Sequence, residues 1–384
     1  MYVTGYQLEL HDESGVWEEI ATAGLERLGA ATDDLRRIEF IDQRAAVRAV
    51  SGRIREARED FEQVLSLRVE RFGEVHPAVA STLAALAAAQ YQLDDKAGAE
   101  QSARRALALV AELYGDAHPE RSFMLVGYSA MLAAVGRSDE AITAARDAVA
   151  IGEAALGPDH PSLAVALNNL AMMLGPTDEA VALLQRAKRI VVRHRGPRHR
   201  EVAYCANNLG YLAQLRGDHS TALTEHATAA EILESVENPD TIALAQTWHN
   251  VGTASDALAR HIEAERAFER ALGSAEKAFG EDHGFVADLL SALGTTRVAR
   301  GQGEAAVAPL ERALRIRSSG DANPNDALRD RMVLARARWI AGGDEFVARE
   351  TIAIIVEQLE GPGAPKFIAL GRSWLAEAAP APGE

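Results

Sequence analysis

Along most of this chain the apolar residues recur every three to four positions. Leu83, Leu86 and Tyr91 keep that rhythm, as do Leu167, Leu170 and Leu174, and Leu65, Val69 and Phe72. No stretch alternates with period two, so the pattern predicts helices and no strands. The pattern also repeats. Gly73, Gly115, Gly157, Gly196, Asn238 and Gly280 are spaced 42, 42, 39, 42 and 42 residues apart. Asn is second only to Gly in tolerating the left-handed backbone that ends a helix, so Asn238 fits this ladder. Small residues form a second ladder at Ala45, Ala87, Ser129, Ala171, Gly210, Gly252 and Gly294. A third runs Ala57, Ala99, Ala141, Ala180, Ala222, Ala264 and Ala306, and a fourth runs Ala106, Ala148, Ala187, Ala229, Ala271 and Ala313. All four share one three-residue deletion, so they mark a single repeating unit.

Each unit reads as two antiparallel helices, A then B, joined by a turn that carries Gly52, Gly136, Gly217 or Gly301. Small residues at fixed positions let the two backbones approach closely. One such pair cannot bury its apolar side alone, so neighbouring pairs must stack. The marks of the unit are Gly-x-x-His-Pro before helix A (residues 73–77, 115–119 and 157–161), Leu-Asn-Asn-Leu-Ala within it, and Asp-Glu-Ala opening helix B (139–141 and 178–180). These residues resemble the tetratricopeptide repeat, in the long form of about 42 residues found in kinesin light chains and many bacterial proteins. The resemblance covers about residues 33–361 and implies an all-α fold, a right-handed α-solenoid of stacked helix pairs. On this reading the units are about 33–74, 75–116, 117–158, 159–197, 198–239, 240–281, 282–323 and 324–361. Residues 1–32 are a helical lead-in or degenerate repeat, and 362–384 a capping helix and tail.

Composition narrows the function classes. With 384 residues and a formal net charge of −16, the chain lacks the positive field that nucleic acid or an anionic membrane requires. One cysteine, Cys205, excludes an internal disulfide framework and fits a reducing compartment; among the small residues of helix A it reads as a packed hydrophobe. No leader pattern opens the sequence and no run approaches 18 consecutive apolar residues, so a cytoplasmic protein is expected. Phosphate loops, His-Glu-x-x-His, Cys-x-x-Cys and Gly-x-Ser-x-Gly are absent, and we expect no enzyme and no cofactor. The acid pairs Glu18-Glu19 and Asp33-Asp34 read as solvent-facing helix positions.

Five aligned histidines, His76, His118, His160, His199 and His283, invite a metal site. Equivalent positions on stacked pairs lie roughly 10 Å apart, too far to share one ion, so we expect turn and capping roles instead. The deletion between Ala171 and Ala180 predicts an early end to helix A near Pro176 and a notch there, or else a tighter loop. In residues 16–28, Trp17, Ile20, Leu25 and Leu28 line up on one side. Arg336 takes the small position of the last unit, Ala348 keeps its helix B position, and a final helix is expected over about 365–378.

The resemblance places the A helices on the concave surface. The partner-facing positions are then Gln43, Ala85, Gly127, Asn169, Asn208, Asn250 and Ala292, with Asp42, Ala84, Val126, Asn168, Asn207, His249 and Ser291 beside them. A side-chain amide both donates and accepts, so the asparagines suit the backbone of an extended peptide. Phe123, Met172, Tyr204, Tyr211 and Gln246 flank them as specificity positions, while the amino-terminal units, with Ala85 and Gly127, are left to shape and apolar contact. A basic run containing Arg193, Arg195, Arg198 and Arg200 would meet an acidic partner or another copy of the chain, or else complement a helix end. Two functions remain open: a non-enzymatic scaffold that binds a partner polypeptide, or the sensing arm of a larger signalling enzyme such as a kinase, protease or ATPase.

Overall fold

A computed structural model describes residues 14–28, 35–236, 240–318, 323–359 and 364–377. Asn238, Asp33, Asp34 and the two chain ends lie outside these residues. Among the described residues there are eighteen helices and no strand. The chain divides into two compact units, Met1–Pro197 and Arg198–Glu384.

The first unit holds α1 (Ser14–Leu28), α2 (Leu35–Val50), α3 (Ile54–Phe72), α4 (Pro77–Gln92), α5 (Lys96–Tyr114), α6 (Pro119–Ala134), α7 (Ser138–Leu156), α8 (Leu163–Leu174) and α9 (Asp178–Arg195). The second holds α10 (Arg200–Leu215), α11 (His219–Ser235), α12 (Thr241–Ala257), α13 (His261–Phe279), α14 (Gly284–Ala299), α15 (Gly303–Ser318), α16 (Pro324–Ile340), α17 (Glu345–Gln358) and α18 (Ala364–Ala376). Within each unit every helix packs on the next in sequence, and A helices also meet A helices: α4 meets α6, α6 meets α8, α10 meets α12 and α14 meets α16. This is the α-solenoid arrangement of stacked helix hairpins.

The helix ends explain the sequence marks. Gly73, Gly115, Gly157, Gly196 and Gly280 sit at φ between 84° and 90°, each donating its N–H to the carbonyl four residues back. Each conserves the helix's last hydrogen bond while turning the chain out. The histidines then open the next helix. Nδ1 of His76, His118, His199 and His283 accepts the backbone N–H two residues on, at 3.1–3.3 Å, and His160 does the same for Ser162. Three of these rings also stack on the aromatic four residues earlier: Phe72 on His76, Tyr114 on His118 and Phe279 on His283, with centroids 4.3–4.5 Å apart. The histidines thus satisfy orphan donors and clasp the chain across the glycine.

The small positions face the partner helix of the hairpin. A Cβ on Gly210 would lie 2.8 Å from the His226 ring, one on Gly252 2.5 Å from Phe268, and one on Gly294 2.5 Å from Leu310. Each pair is 16 residues apart. Where the helix B residue is small, as with Ala103 or Ala145, the A position carries Ala87 or Ser129. In these five crossings a glycine faces a large side chain and a larger small residue faces alanine, so volume is matched across the contact.

Three sequence expectations change in detail. The deletion shortens the helices and not the turn: α8 ends at Leu174, 14 residues after His160, where α4, α6, α10 and α14 end 16 after their histidines, and α9 has 18 residues against 19 in α5, α7 and α13, while the turn, Gly175 to Thr177, keeps three. In α1, Trp17 and Ile20 are 43% and 47% exposed, whereas Ala21 is fully buried and Leu25 packs against the Ile38, Ile41 and Val64 cluster. Gly24 lets the Phe40 ring of α2 come close, so that Ala21, Gly24 and Leu25, not Trp17 and Ile20, face α2. Glu18, expected in solvent, reaches back to Arg48 and Arg53 and ties α1 to α2 and the turn after it. At the other end Arg336 lies over Trp339 with its guanidinium 4.2 Å from the ring centroid, and α18 covers α16 and α17 with Trp374 buried.

The A–B turns carry Gly52, Gly136, Gly217 and Gly301 at positive φ, and Asp94 and Ala259 are held there without being glycine (φ 62° and 57°). Two exchanges within one hairpin should therefore have opposite signs. Ala259→Gly should stabilise the protein by about 1 kcal/mol, by removing left-handed strain. Gly252→Ala should cost about 1–3 kcal/mol, because the buried Phe268 ring has nowhere to go. Equilibrium urea unfolding checks both, and two shifts of the same sign would defeat this account of the hairpin.

Candidate functional site

The amide-bearing positions fall in both compact units, and each unit is described on its own. In the second, α10 carries Asn207 and Asn208 and α12 carries His249 and Asn250. Asn207 is bound from two sides. Its Oδ1 lies 2.8 Å from Nδ1 of His226 on α11 and accepts Nδ2 of Asn250 at 3.2 Å. A carbonyl oxygen only accepts, so Nδ1 of His226 carries the proton and Nε2 is the bare nitrogen. That Nε2 is buried without a hydrogen-bond partner, and the whole His226 residue is solvent-inaccessible. Burial, and secondarily the charge His249 would carry, push the His226 pKa down to about 4. Gly210, one turn along α10 from Asn207, makes the room that the imidazole occupies.

The amides at 207 and 250 are therefore tied to each other and to an internal histidine. His249 is half-buried, 5.9 Å from the Phe268 ring and 5.8 Å from that of Phe285, and burial lowers its pKa. Tyr204 is half-buried too; its hydroxyl meets Oδ2 of Asp240, 3.3 Å away, the residue that caps α12, and burial with the Asp240 charge pushes the phenol up to about 12. Asn208 is half-buried on α10, Tyr211 is 42% exposed, and Gln246 is exposed one turn before Asn250.

In the first unit, Asn169 is only 4% exposed and Asn168 is half-buried, the Asn168 amide standing 3.5 Å from Oδ1 of its neighbour. A buried Asn169 has little surface to offer another molecule. Met172 is half-buried, while Phe123 on α6 is 66% exposed. Of the basic run, Arg193 and Arg195 lie in the last turn of α9, where cations complement the negative helix end, and Arg193 pairs with Asp159 at 2.9 Å. Arg198 precedes α10 and Arg200 opens it, in the other compact unit.

Sequence reading missed His226. The signal was there: four residues beyond the third small ladder the other units hold Phe61, Ala103, Ala145, Leu184, Phe268 and Leu310, all apolar. A polar residue in that slot needs a buried partner, and only Asn207 and Asn250 of the adjoining A helices were at hand.

Comparison with known proteins places the chain in a family. The sequence profile of the tetratricopeptide repeat matches residues 38–112, 120–175, 171–235, 206–277 and 243–319. The chain belongs to the tetratricopeptide repeat family. No curated protein matches it in sequence. Among solved structures, a signal transduction ATPase with numerous domains from Pyrococcus horikoshii, described as having a tetratricopeptide repeat sensor, is similar at 12% identity and a TM-score of 0.63, over 95% of this chain and 54% of that one. The quorum sensor NprR from B. thuringiensis is similar at 13% identity and TM-score 0.58, over 86% of this chain and 92% of that chain. A Rap protein complexed with competence and sporulation factor is similar at 15% identity and TM-score 0.51, over 96% and 97%. At these identities the likeness is one of fold.

The buried imidazole gives the second unit an acid sensitivity with a definite sign. His226 must be neutral when folded, with a pKa of about 4, against 6.5 unfolded. Its contribution is complete above about pH 6.5 and is lost as pH falls toward 4, because the unfolded chain takes up the proton first. Between pH 7 and 5 this amounts to about 2 kcal/mol. In urea titrations the wild type should lose about that much more than His226→Asn, whose amide donates to Asn207 but does not titrate. An equal loss in both would refute the assignment.

Proposed function

We propose that this protein is a non-enzymatic interaction module that binds a polypeptide partner through the exposed side of its A helices. The observation that carries this reading is the way A helices meet directly. Asn207 and Asn250, equivalent positions on α10 and α12 displaced by one residue, touch through their side chains, so successive A helices share one surface. Pre-organised by His226, these two amides hold the adjoining edges of α10 and α12 in a fixed arrangement for an outside partner. Asn208, Tyr211 and Gln246 extend that surface in the second unit; Phe123, Asn168 and Met172 lie on the corresponding side in the first. Tyr204, His249 and Asn169 act from behind, as supports. Solved proteins of this fold include one complexed with competence and sporulation factor, which accords with a polypeptide ligand.

On this reading the eight repeat units are the organising division of the chain, and the acidic balance of −16 directs it toward protein, not nucleic acid or membrane. No helix among the described residues is long and apolar enough to cross a membrane. Arg193 and Arg195 complement the carboxyl-terminal end of α9.

The test is a selection of displayed polypeptide fragments on the full chain, followed by affinity measurement of the enriched binder. Tyr211→Ala combined with Gln246→Ala should weaken it about tenfold, roughly 1.4 kcal/mol. Glu263→Ala with Lys277→Ala, on exposed positions of helix B α13, should leave it within twofold. The reverse ranking would place the binding surface on the B helices.

A further inference from the structure

The first unit has a surface whose chemistry differs from the rest of the chain. Helices α4 and α8 contain no charged residue, and α6 contains only Glu120 and Arg121, both in its first turn. The chain as a whole is 25% charged, and the B helices between them, α5 and α7, carry the charge locally. These three A helices pack side by side, α4 on α6 and α6 on α8. Their outward positions are mostly small or apolar, with Gln92 exposed at the end of α4 and Asn168 half-buried on α8. Ala88 and Gly127 are exposed, Ala85, Ala130, Val165 and Met172 are half-buried, and Phe123 stands 66% exposed in their midst. One turn along α6 from Phe123, a side chain at Gly127 would meet nothing within 4 Å, so the phenyl ring borders open space. Met172 on α8 is half-buried among these outward positions, and its flexible thioether lets the surface adapt to what covers it.

Hydrogen bonding narrows the occupant further. The hydroxyls of Ser81 and Thr82 donate to the Ala78 carbonyl, Ser129 donates to Val126, and the Tyr128 hydroxyl takes up Nε of Arg104. The asparagines stand at the α8 edge, with Asn169 buried. An extended peptide laid beside Phe123 and Gly127 would find few partners for its N–H and C=O groups, at a cost for each one left unpaired. A helix satisfies its own backbone and can bury one side chain stripe without that penalty. Charge selects in the same direction. Beyond the first turn of α6, with Glu120 and Arg121, a charged side chain buried on these three helices finds no counter-charge on them, whereas the net charge of −16 favours cations on the side of the partner that stays in water.

We propose that the uncharged side of α4, α6 and α8 receives an amphipathic helix of a partner protein, with a neutral apolar stripe set down beside Phe123 over Gly127 and a basic outer side. This rests on the reading of the A-helix surface as the binding surface and specifies the chemistry of what binds there. It differs from the extended, amide-paired segment suited to the second unit.

The test uses the full chain and two displayed libraries of roughly 18-residue segments: one on a helical scaffold with its outer side randomised, the other unstructured and proline-containing. Binders should come from the helical library, with apolar residues at i, i+3, i+4 and i+7 and Lys or Arg flanking them. Their affinity should fall at least about tenfold on Phe123→Asp and on Gly127→Gln chains. Both variants should unfold no more easily than the wild type, since Phe123 is exposed and Gly127→Gln replaces a mid-helix glycine with a better helix former. Binders drawn from the unstructured library, binders indifferent to both variants, or an absence of helical binders would overturn the proposal. Binders lost with Tyr211→Ala and Gln246→Ala, but not with Phe123→Asp, would overturn it while the broader reading stands. Binders lost only with Glu263→Ala and Lys277→Ala would sink both.

Discussion

The crossing of helix A over helix B at one small residue is the constraint on which the rest depends. The two backbones approach until a missing methyl is filled by the side chain opposite, as His226 fills Gly210, Phe268 fills Gly252 and Leu310 fills Gly294. That contact sets the separation within a hairpin, and the Ala ladders of the B helices let the next hairpin lie against it, since Ala141, Ala180, Ala222 and Ala264 are all fully buried. Close packing of this kind tolerates little change in volume at one side unless the other side answers. It also leaves the outward positions of each A helix free of any packing duty, and there the chain varies from repeat to repeat.

That freedom is used differently in the two units. Around α4, α6 and α8 the outward side chains are chiefly alanine, glycine, methionine and an exposed phenylalanine, with charge confined to the first turn of α6. Around α10 and α12 they are amides, hydroxyls and Tyr211. Charge is spent elsewhere, in bridges along and between helices such as Arg297 to Glu265 and Glu269, or Arg317 to the buried Asp330. The exposed bridges contribute little each, whereas Arg317 and Asp330, 6% and 1% exposed, must be paired to be buried at all. One scaffold thus carries two surfaces of distinct chemistry without altering its core.

Much of this was legible in the sequence. The 42-residue spacing, the glycines at helix ends and the His-Pro helix starts translate directly into local geometry, because each depends on a few neighbouring backbone atoms: Gly157 ends α7, and His118 caps α6, whatever lies beyond them. Periodicity likewise located the buried Leu83, Leu86, Leu167 and Leu170. The outward side was harder. Asn207 and Asn208, or Asn168 and Asn169, are adjacent letters of the same type, yet one of each pair is drawn inward, by His226 in one case and by burial in the other. In α1 the large residues Trp17 and Ile20 looked like the packed ones, until the close approach of Phe40 to Gly24 gave that role to Ala21.

What the sequence determined by itself is therefore everything that recurs: helix type, hairpin length, the position of each turn, and the rule that hairpins must stack. These follow from short-range backbone preferences and from apolar periodicity. Only the tertiary structure decided which side of a position meets which neighbour. It set the His226 ring beside Asn207 and Asn250, the short α8 against α7, and the bare, uncharged side of α4, α6 and α8 outward. Those outcomes depend on volumes and hydrogen bonds contributed by residues 16 to 43 positions away, and no local pattern in the chain records the distances between them.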